Sequence, residues 1–182
     1  SVIVPVGPSH SEMVEGAIRS LLGQSERSWE LLLIDNTRND DTLEKLAHIR
    51  WPFTRYFHCR SGGVAAARNI GLASAQGDFV LFLDADDYLA ANALERLLAF
   101  YADHCSAGVK GGATPFQYVY PDWYSVDSFG GTPILRKSPD FNPTATTLQH
   151  PVTILIPTLL AQSSRFDEDL EGWEEWSYAI RL

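Results

Sequence analysis

Gly77-Asp78-Phe79-Val80-Leu81-Phe82-Leu83-Asp84-Ala85-Asp86-Asp87 is the stretch on which the fold turns. From Phe79 to Leu83 every residue is apolar, with no polar alternation. That pattern belongs to a strand covered on both faces, as in a parallel sheet between helix layers. Gly77-Asp78 turns the chain into the strand, and Asp84, Asp86 and Asp87 end it. Ligands of open α/β sheets bind at the carboxyl ends of the strands, so an acidic tip there is a candidate site.

Upstream, the pattern repeats. Val2-Ile3-Val4-Pro5-Val6 is a buried-strand pattern closed by Gly7-Pro8-Ser9, and Leu31 to Asp35 is a second. Arg55 to His58 is a third, weaker one. Between them, Met13 to Leu22 sets Val14, Ala17, Ile18, Leu21 and Leu22 on one helical face. Thr42 to Ile49 reads as a short helix. Gly62-Gly63 reads as the turn before an alanine-rich helix over Val64 to Ala73, and Asn92 to Tyr101 gives another helix. This alternation predicts right-handed βαβ units, an α/β fold with a mainly parallel central sheet flanked by helices. From Gly108 to Pro143 the pattern loosens into expected short strands and long loops; Thr153 to Leu160 predicts one more strand and Gly172 to Leu182 a last helix.

The 182 residues fit one domain. A formal net charge of -9 excludes a general nucleic-acid binder, which needs a basic face. The acidity fits plain solubility or carboxylates gathered around a cation. Cys59 and Cys105 form no CxxC pair, so a reducing compartment is expected. No apolar run reaches the roughly 18 residues that cross a bilayer. The first residues carry no signal-peptide pattern, and the chain is expected to be part of a longer protein.

Three polar clusters share the expected ligand-binding edge: Gly7-Pro8-Ser9, Asp35-Asn36 and the Asp84 cluster. Asp84 and Asp86 would point the same way in extended chain, and their hard oxygens suit Mg²⁺ or Mn²⁺. The alternative is that these acids cap the following helix. Likewise, Glu174-Glu175 reads either as an exposed helix face or as functional acids, Arg68 as a surface residue pairing with Asp78 or as part of a site, and Trp173 and Trp176 as core. His58 and His150 show no ligand spacing.

The string Ser61-Gly62-Gly63-Val64-Ala65-Ala66-Ala67-Arg68-Asn69-Ile70-Gly71-Leu72, followed by Gly77 to Asp87, resembles glycosyltransferase family 2. Val2 to Val6, Leu33-Ile34-Asp35, Phe166 to Leu170 and Trp173-Glu174-Glu175-Trp176 extend the resemblance in order. It implies a GT-A fold with a nucleotide-sugar-binding half (residues 1–100) and an acceptor and catalytic-base half (101–182). It further implies a metal-dependent hexosyl or related transferase, moving sugar with inversion from a nucleotide-diphosphate donor, commonly UDP-linked, to a glycan or lipid-linked hydroxyl. The setting it implies is polysaccharide or cell-wall glycan synthesis in the cytoplasm, at the inner face of the membrane through segments outside this stretch. By position, Pro5 and Val6 lie beside the nucleoside, Asp35 accepts from the base, and Arg68 sits near the base or diphosphate. Asp84 and Ala85 flank the ribose and metal, Asp86 is the main ligand for Mn²⁺ or Mg²⁺, and Glu174-Glu175 is the acidic pair whose second member is the general base.

The chain departs from the family at Gly7-Pro8-Ser9 (commonly Tyr-Asn), at Asn36-Thr37-Arg38 (Asp-Gly-Ser), at Glu175 (Asp), at Ser177 (another acid) and at Ser163-Ser164-Arg165 (a glycine pair). These departures keep open a nucleotide-sugar-binding homologue with impaired turnover. A sugar nucleotidyltransferase would need a Gly-rich basic loop after the first strand, and a dehydrogenase a GxGxxG turn; Val6 to His10 is neither.

Overall fold

Alternate residues of the first strand face opposite sides of one sheet, and that division organises the molecule. In the computed structural model, residues 1–37, 52–60, 62–104, 119, 121–125, 132–136, 153–170 and 174–182 are described. β1 (Val2–Val6), β2 (Leu31–Asp35), β3 (Thr54–His58) and β4 (Phe79–Phe82) run parallel in the order β3-β2-β1-β4. β5 (Trp123–Ser125) and β6 (Ile134–Arg136) form a separate antiparallel pair. β7 (Leu155–Pro157) closes the main sheet antiparallel to β4.

Among the described residues, five helices accompany the strands: α1 (Val14–Leu22), α2 (Val64–Ser74), α3 (Ala93–His104), α4 (Thr158–Ser163) and α5 (Glu174–Arg181). Val2, Val4, Val6, Leu31, Leu33 and Leu81 pack with the apolar stripe of α1 and with Leu94 and Leu97 of α3. Ile3, Leu32, Ile34, Val80, Phe82 and Ile156 face the other way, onto α2, α4 and Tyr178 of α5. With both faces covered, the strands need no polar alternation, which is why they read as continuous apolar runs.

The expected helix over Thr42 to Ile49 and most of the irregular stretch from Gly108 to Pro143 lie outside the described residues. The last predicted strand is shorter than expected. Thr158 donates its backbone N–H to the Asp78 carbonyl, and the chain turns there into α4, so Leu159 and Leu160 are helical. Among the described residues, no helix is long and apolar enough to cross a membrane.

α2 approaches the sheet closely because its inner face is Ala65, Ala66, Ala67 and Gly71. Gly62, at φ +100°, supplies the left-handed turn that starts it. A methyl group at Gly71 would run into the branched side chain of Ile3, which is fully buried in β1. Helix propensity favours Gly71→Ala by about 1 kcal/mol, but overpacking a filled core costs about 1–3 kcal/mol. The stiff Ile3 side chain leaves little room to relax, so Gly71→Ala is expected to lower the urea midpoint with an unchanged m-value.

Candidate active site

The parallel register fixes where the polar strand ends meet. Val6, Asp35 and His58 stand side by side at the carboxyl ends of β1, β2 and β3. Pro5 and Val6 are buried in β1 opposite Ile34 and Asp35. Asp35 is 1% exposed. Its Oδ1 accepts the Thr37 backbone N–H at 2.8 Å, while its Oδ2 is buried without a hydrogen-bond partner. His58 Nδ1 stands 3.9 Å from that oxygen. An unpartnered buried carboxylate oxygen at a strand end is costly unless a ligand donor completes it.

β4 ends at Phe82, and Asp84 to Asp87 form a turn, with the Asp87 N–H bonded to the Asp84 carbonyl at 3.1 Å. The two-residue periodicity expected to set Asp84 and Asp86 on one face therefore does not apply. Asp84 Oδ1 accepts from Arg68 Nη2 at 2.9 Å. The Asp86 side chain is 48% exposed, with His10 Nε2 at 3.8 Å. Ala85 is buried between them. Asp87 lies at the surface, yet its pKa is pushed up to about 6, first by desolvation against the protein behind it, then by Asp84 and Asp86. Among the described residues no group of three His, Cys, Asp or Glu side chains could hold an ion alone. Asp84 and Asp86 supply hard oxygens from two carboxylates and leave positions open. That donor set fits a cation such as Mg²⁺ or Mn²⁺ whose remaining ligands are diphosphate oxygens.

Arg68 is the unexpected centre. Of the two readings of Arg68, a surface pairing with Asp78 or a part of the site, burial excludes the first: Arg68 is 2% exposed and turned inward. Its Nη1 donates to Glu175 Oε1 at 2.7 Å and lies 3.8 Å from Glu174 Oε1. One guanidinium thus serves Asp84 after β4 and both acids in the first turn of α5. Glu174 Oε2 and Arg68 Nε remain buried without partners. Glu175 is separated from Asp84 by that single side chain.

Several supporting residues carried no signal of their own. The Arg68 guanidinium lies over the Phe166 ring, 5.4 Å from its centroid. Phe166 stacks on Tyr178 at 4.0 Å and meets Phe82 edge-on. Asn69 clips the Phe166 backbone from both sides, donating to its carbonyl at 3.0 Å and accepting its N–H at 2.8 Å, and also donates to Glu168. Tyr178 donates to the Ala161 carbonyl at 2.7 Å, and burial pushes its phenol pKa up. Asn69 was visible as a member of the Arg68-Asn69 string, but its partner, 97 residues away, was not.

Comparison with known proteins identifies the family and the fold. A family model described as glycosyl transferase family 2 matches residues 1–169. An uncharacterized glycosyltransferase of Haemophilus influenzae is 42% identical over 103 residues, which is 55% of this chain and 41% of that protein. Poly(ribitol-phosphate) β-N-acetylglucosaminyltransferase TarS of Staphylococcus aureus is 32% identical over 127 residues, 63% of this chain and 22% of TarS. A structure of TarS in complex with UDP-GlcNAc superposes with a TM-score of 0.69 at 24% identity, covering 99% of this chain and 52% of that one. A Pyrobaculum calidifontis mannosyltransferase in complex with GDP-Man and Mn²⁺ gives 0.69 at 18% identity, covering 99% and 50%. The chain therefore spans about half or less of these relatives, and it has the GT-A fold of its structural neighbours. On the family match across residues 1–169, this chain belongs to glycosyl transferase family 2.

Proposed function

We propose that this chain transfers a sugar, with inversion, from a UDP-linked donor to a hydroxyl of a glycan or lipid-linked acceptor, with Glu175 as general base. The observation that carries the reading is the convergence at one sheet edge of Asp35, with its unpartnered oxygen, the Asp84–Asp86 tip, and Glu175. In this reading Asp35 Oδ2 accepts an N–H from the base, beside Pro5 and Val6. Asp84 and Asp86 would hold Mn²⁺ or Mg²⁺, with Ala85 packed between them. Such a cation, when bound, would neutralise charge developing on a departing diphosphate.

In a single displacement the acceptor hydroxyl attacks the anomeric carbon opposite the leaving group, and a carboxylate takes its proton. Glu175 keeps Oε1 on Arg68, and its Oε2 has no hydrogen bond among the described residues to compete with an acceptor. Residues 1–100 form the donor half and 101–182 the acceptor half. TarS in complex with UDP-GlcNAc supports the uridine donor, and TarS, acting on poly(ribitol-phosphate), supports a cell-wall polymer acceptor. A lipid-linked acceptor would place the reaction at the membrane face.

The engagement of Glu175 by Arg68 favours one second reading, a nucleotide-sugar binder without turnover. UDP release from UDP-GlcNAc and UDP-glucose with Mn²⁺ separates the two. Turnover, even to water, is expected; binding without release would favour the second reading. In the same assay Asp35→Asn keeps the shape but offers an amide to the base. Losing a hydrogen bond to a charged group costs about 1.5–3 kcal/mol, so donor KM is expected to rise roughly 10–100-fold with kcat little changed. An unchanged KM would remove Asp35 from the base site.

A further inference from the structure

We propose that Arg68 is the positioning residue for Glu175: anchored on Asp84, its guanidinium sets the direction of the Glu175 carboxylate. This deepens the reading of Glu175 as base and rests on it.

A guanidinium is a rigid planar fork, and a residue holding one arm still also aims the other. Nη2 is fixed on Asp84 at 2.9 Å and Nη1 on Glu175 at 2.7 Å, both charge-assisted lengths. The fork has little freedom of its own. It is almost wholly buried and lies over the Phe166 ring. That ring is stacked on Tyr178, which belongs to the same helix as Glu175. Asn69, next to Arg68 in α2, clips the Phe166 backbone by two hydrogen bonds. The support under Arg68 and the support under α5 are therefore one cluster, so the guanidinium and the backbone carrying Glu175 keep a fixed relation.

Glu175 needs such an aim. It is the second residue of a helix of 8 residues, and among the described residues no other group bonds its carboxylate. A glutamate also has one more rotatable bond than an aspartate, so its carboxylate sweeps a wider arc unless something stops it. A base misplaced by about 1 Å loses roughly 100-fold in rate. Lysine would not replace Arg68, because an ammonium on a flexible stem is a point charge rather than a fork.

The test is a double-mutant cycle in the full chain with Arg68→Lys, Arg68→Gln, Glu175→Gln and the combined variants. UDP release from UDP-GlcNAc with Mn²⁺ gives kcat, and calorimetric titration of UDP with Mn²⁺ gives donor-nucleotide affinity. Both Arg68 variants are expected to lower kcat by about 100-fold while the UDP Kd stays within about threefold. In the Glu175→Gln background the same Arg68 substitutions are expected to cost less than about threefold more, because their effect passes through a carboxylate that no longer acts. Arg68→Lys keeps the charge among three carboxylates, so the cycle stands on it if Arg68→Gln does not fold.

A Kd that rises as much as kcat falls would make Arg68 a donor ligand and overturn the proposal. Multiplying losses in the combined variant would overturn it while leaving Glu175 as base. A full rate for Glu175→Gln alone would overturn the base assignment and the proposal together.

Discussion

Glu175→Gln is expected to lower the sugar-transfer rate by about 10²–10⁴-fold while UDP binding is retained, the size of effect typical for a general base. The substitution is close to isosteric. The glutamine oxygen still accepts from Arg68 Nη1, so the contact at 2.7 Å survives in kind and α5 keeps its tie to α2. What disappears is the ability to take the acceptor proton. Steady-state kinetics check this directly: kcat should collapse with donor KM nearly constant. Glu174→Gln is the internal comparison. Glu174 is buried, with Oε2 unpartnered and only a 3.8 Å approach to Arg68, so its neutralisation removes a poorly compensated charge rather than the base. Its rate loss should be far smaller, and equal losses at both positions would mean that the pair shares the proton.

Asp86→Ala is expected to abolish the manganese-dependent part of UDP binding without lowering the melting point of the free chain. The Asp86 side chain is half exposed and its nearest charged neighbour, His10, stands 3.8 Å away, so the fold loses little. Asp87, its carboxyl pKa pushed up to about 6 first by desolvation and then by Asp84 and Asp86, loses one repulsive neighbour when Asp86 is removed. The nucleotide effect is large. A ligand at 100 times its Kd stabilises the folded state by about 2.7 kcal/mol. For a chain of this size that is roughly 5–10 °C in melting temperature. With the native residue, UDP plus Mn²⁺ should produce a shift of that order and UDP plus chelator a much smaller one. In Asp86→Ala the two conditions should coincide. Equal stabilisation by UDP with and without chelator in the native chain would count against the metal role.

The reach of the sequence can be traced residue by residue. β1, β2 and β4 were legible because each is buried on both faces, which leaves an unbroken apolar run. The shared edge of Asp35 and the Asp84 cluster followed from strands that all run parallel, and the register holds them there. Side-chain direction beyond the strand ends was not legible. The side-chain directions of Asp84 and Asp86 could not be read off a strand period because the chain has already left the strand, and a turn has no two-residue period. The partners of Arg68 were hidden for a different reason: Glu175 is 107 residues away, and no local pattern announces a contact made through tertiary packing. The alternative surface pairing with Asp78 is excluded by the burial of Arg68. The contact between Asn69 and Phe166 was hidden for the same reason, since it spans 97 residues.

The most direct test of the acidic tip is a crystal of the chain grown with UDP and Mn²⁺, with diffraction collected at the manganese absorption edge. An anomalous peak against the Asp86 and Asp84 carboxylates, shared with the diphosphate, is the expected result. Both carboxylates turned to solvent, with no peak beside them, would contradict it.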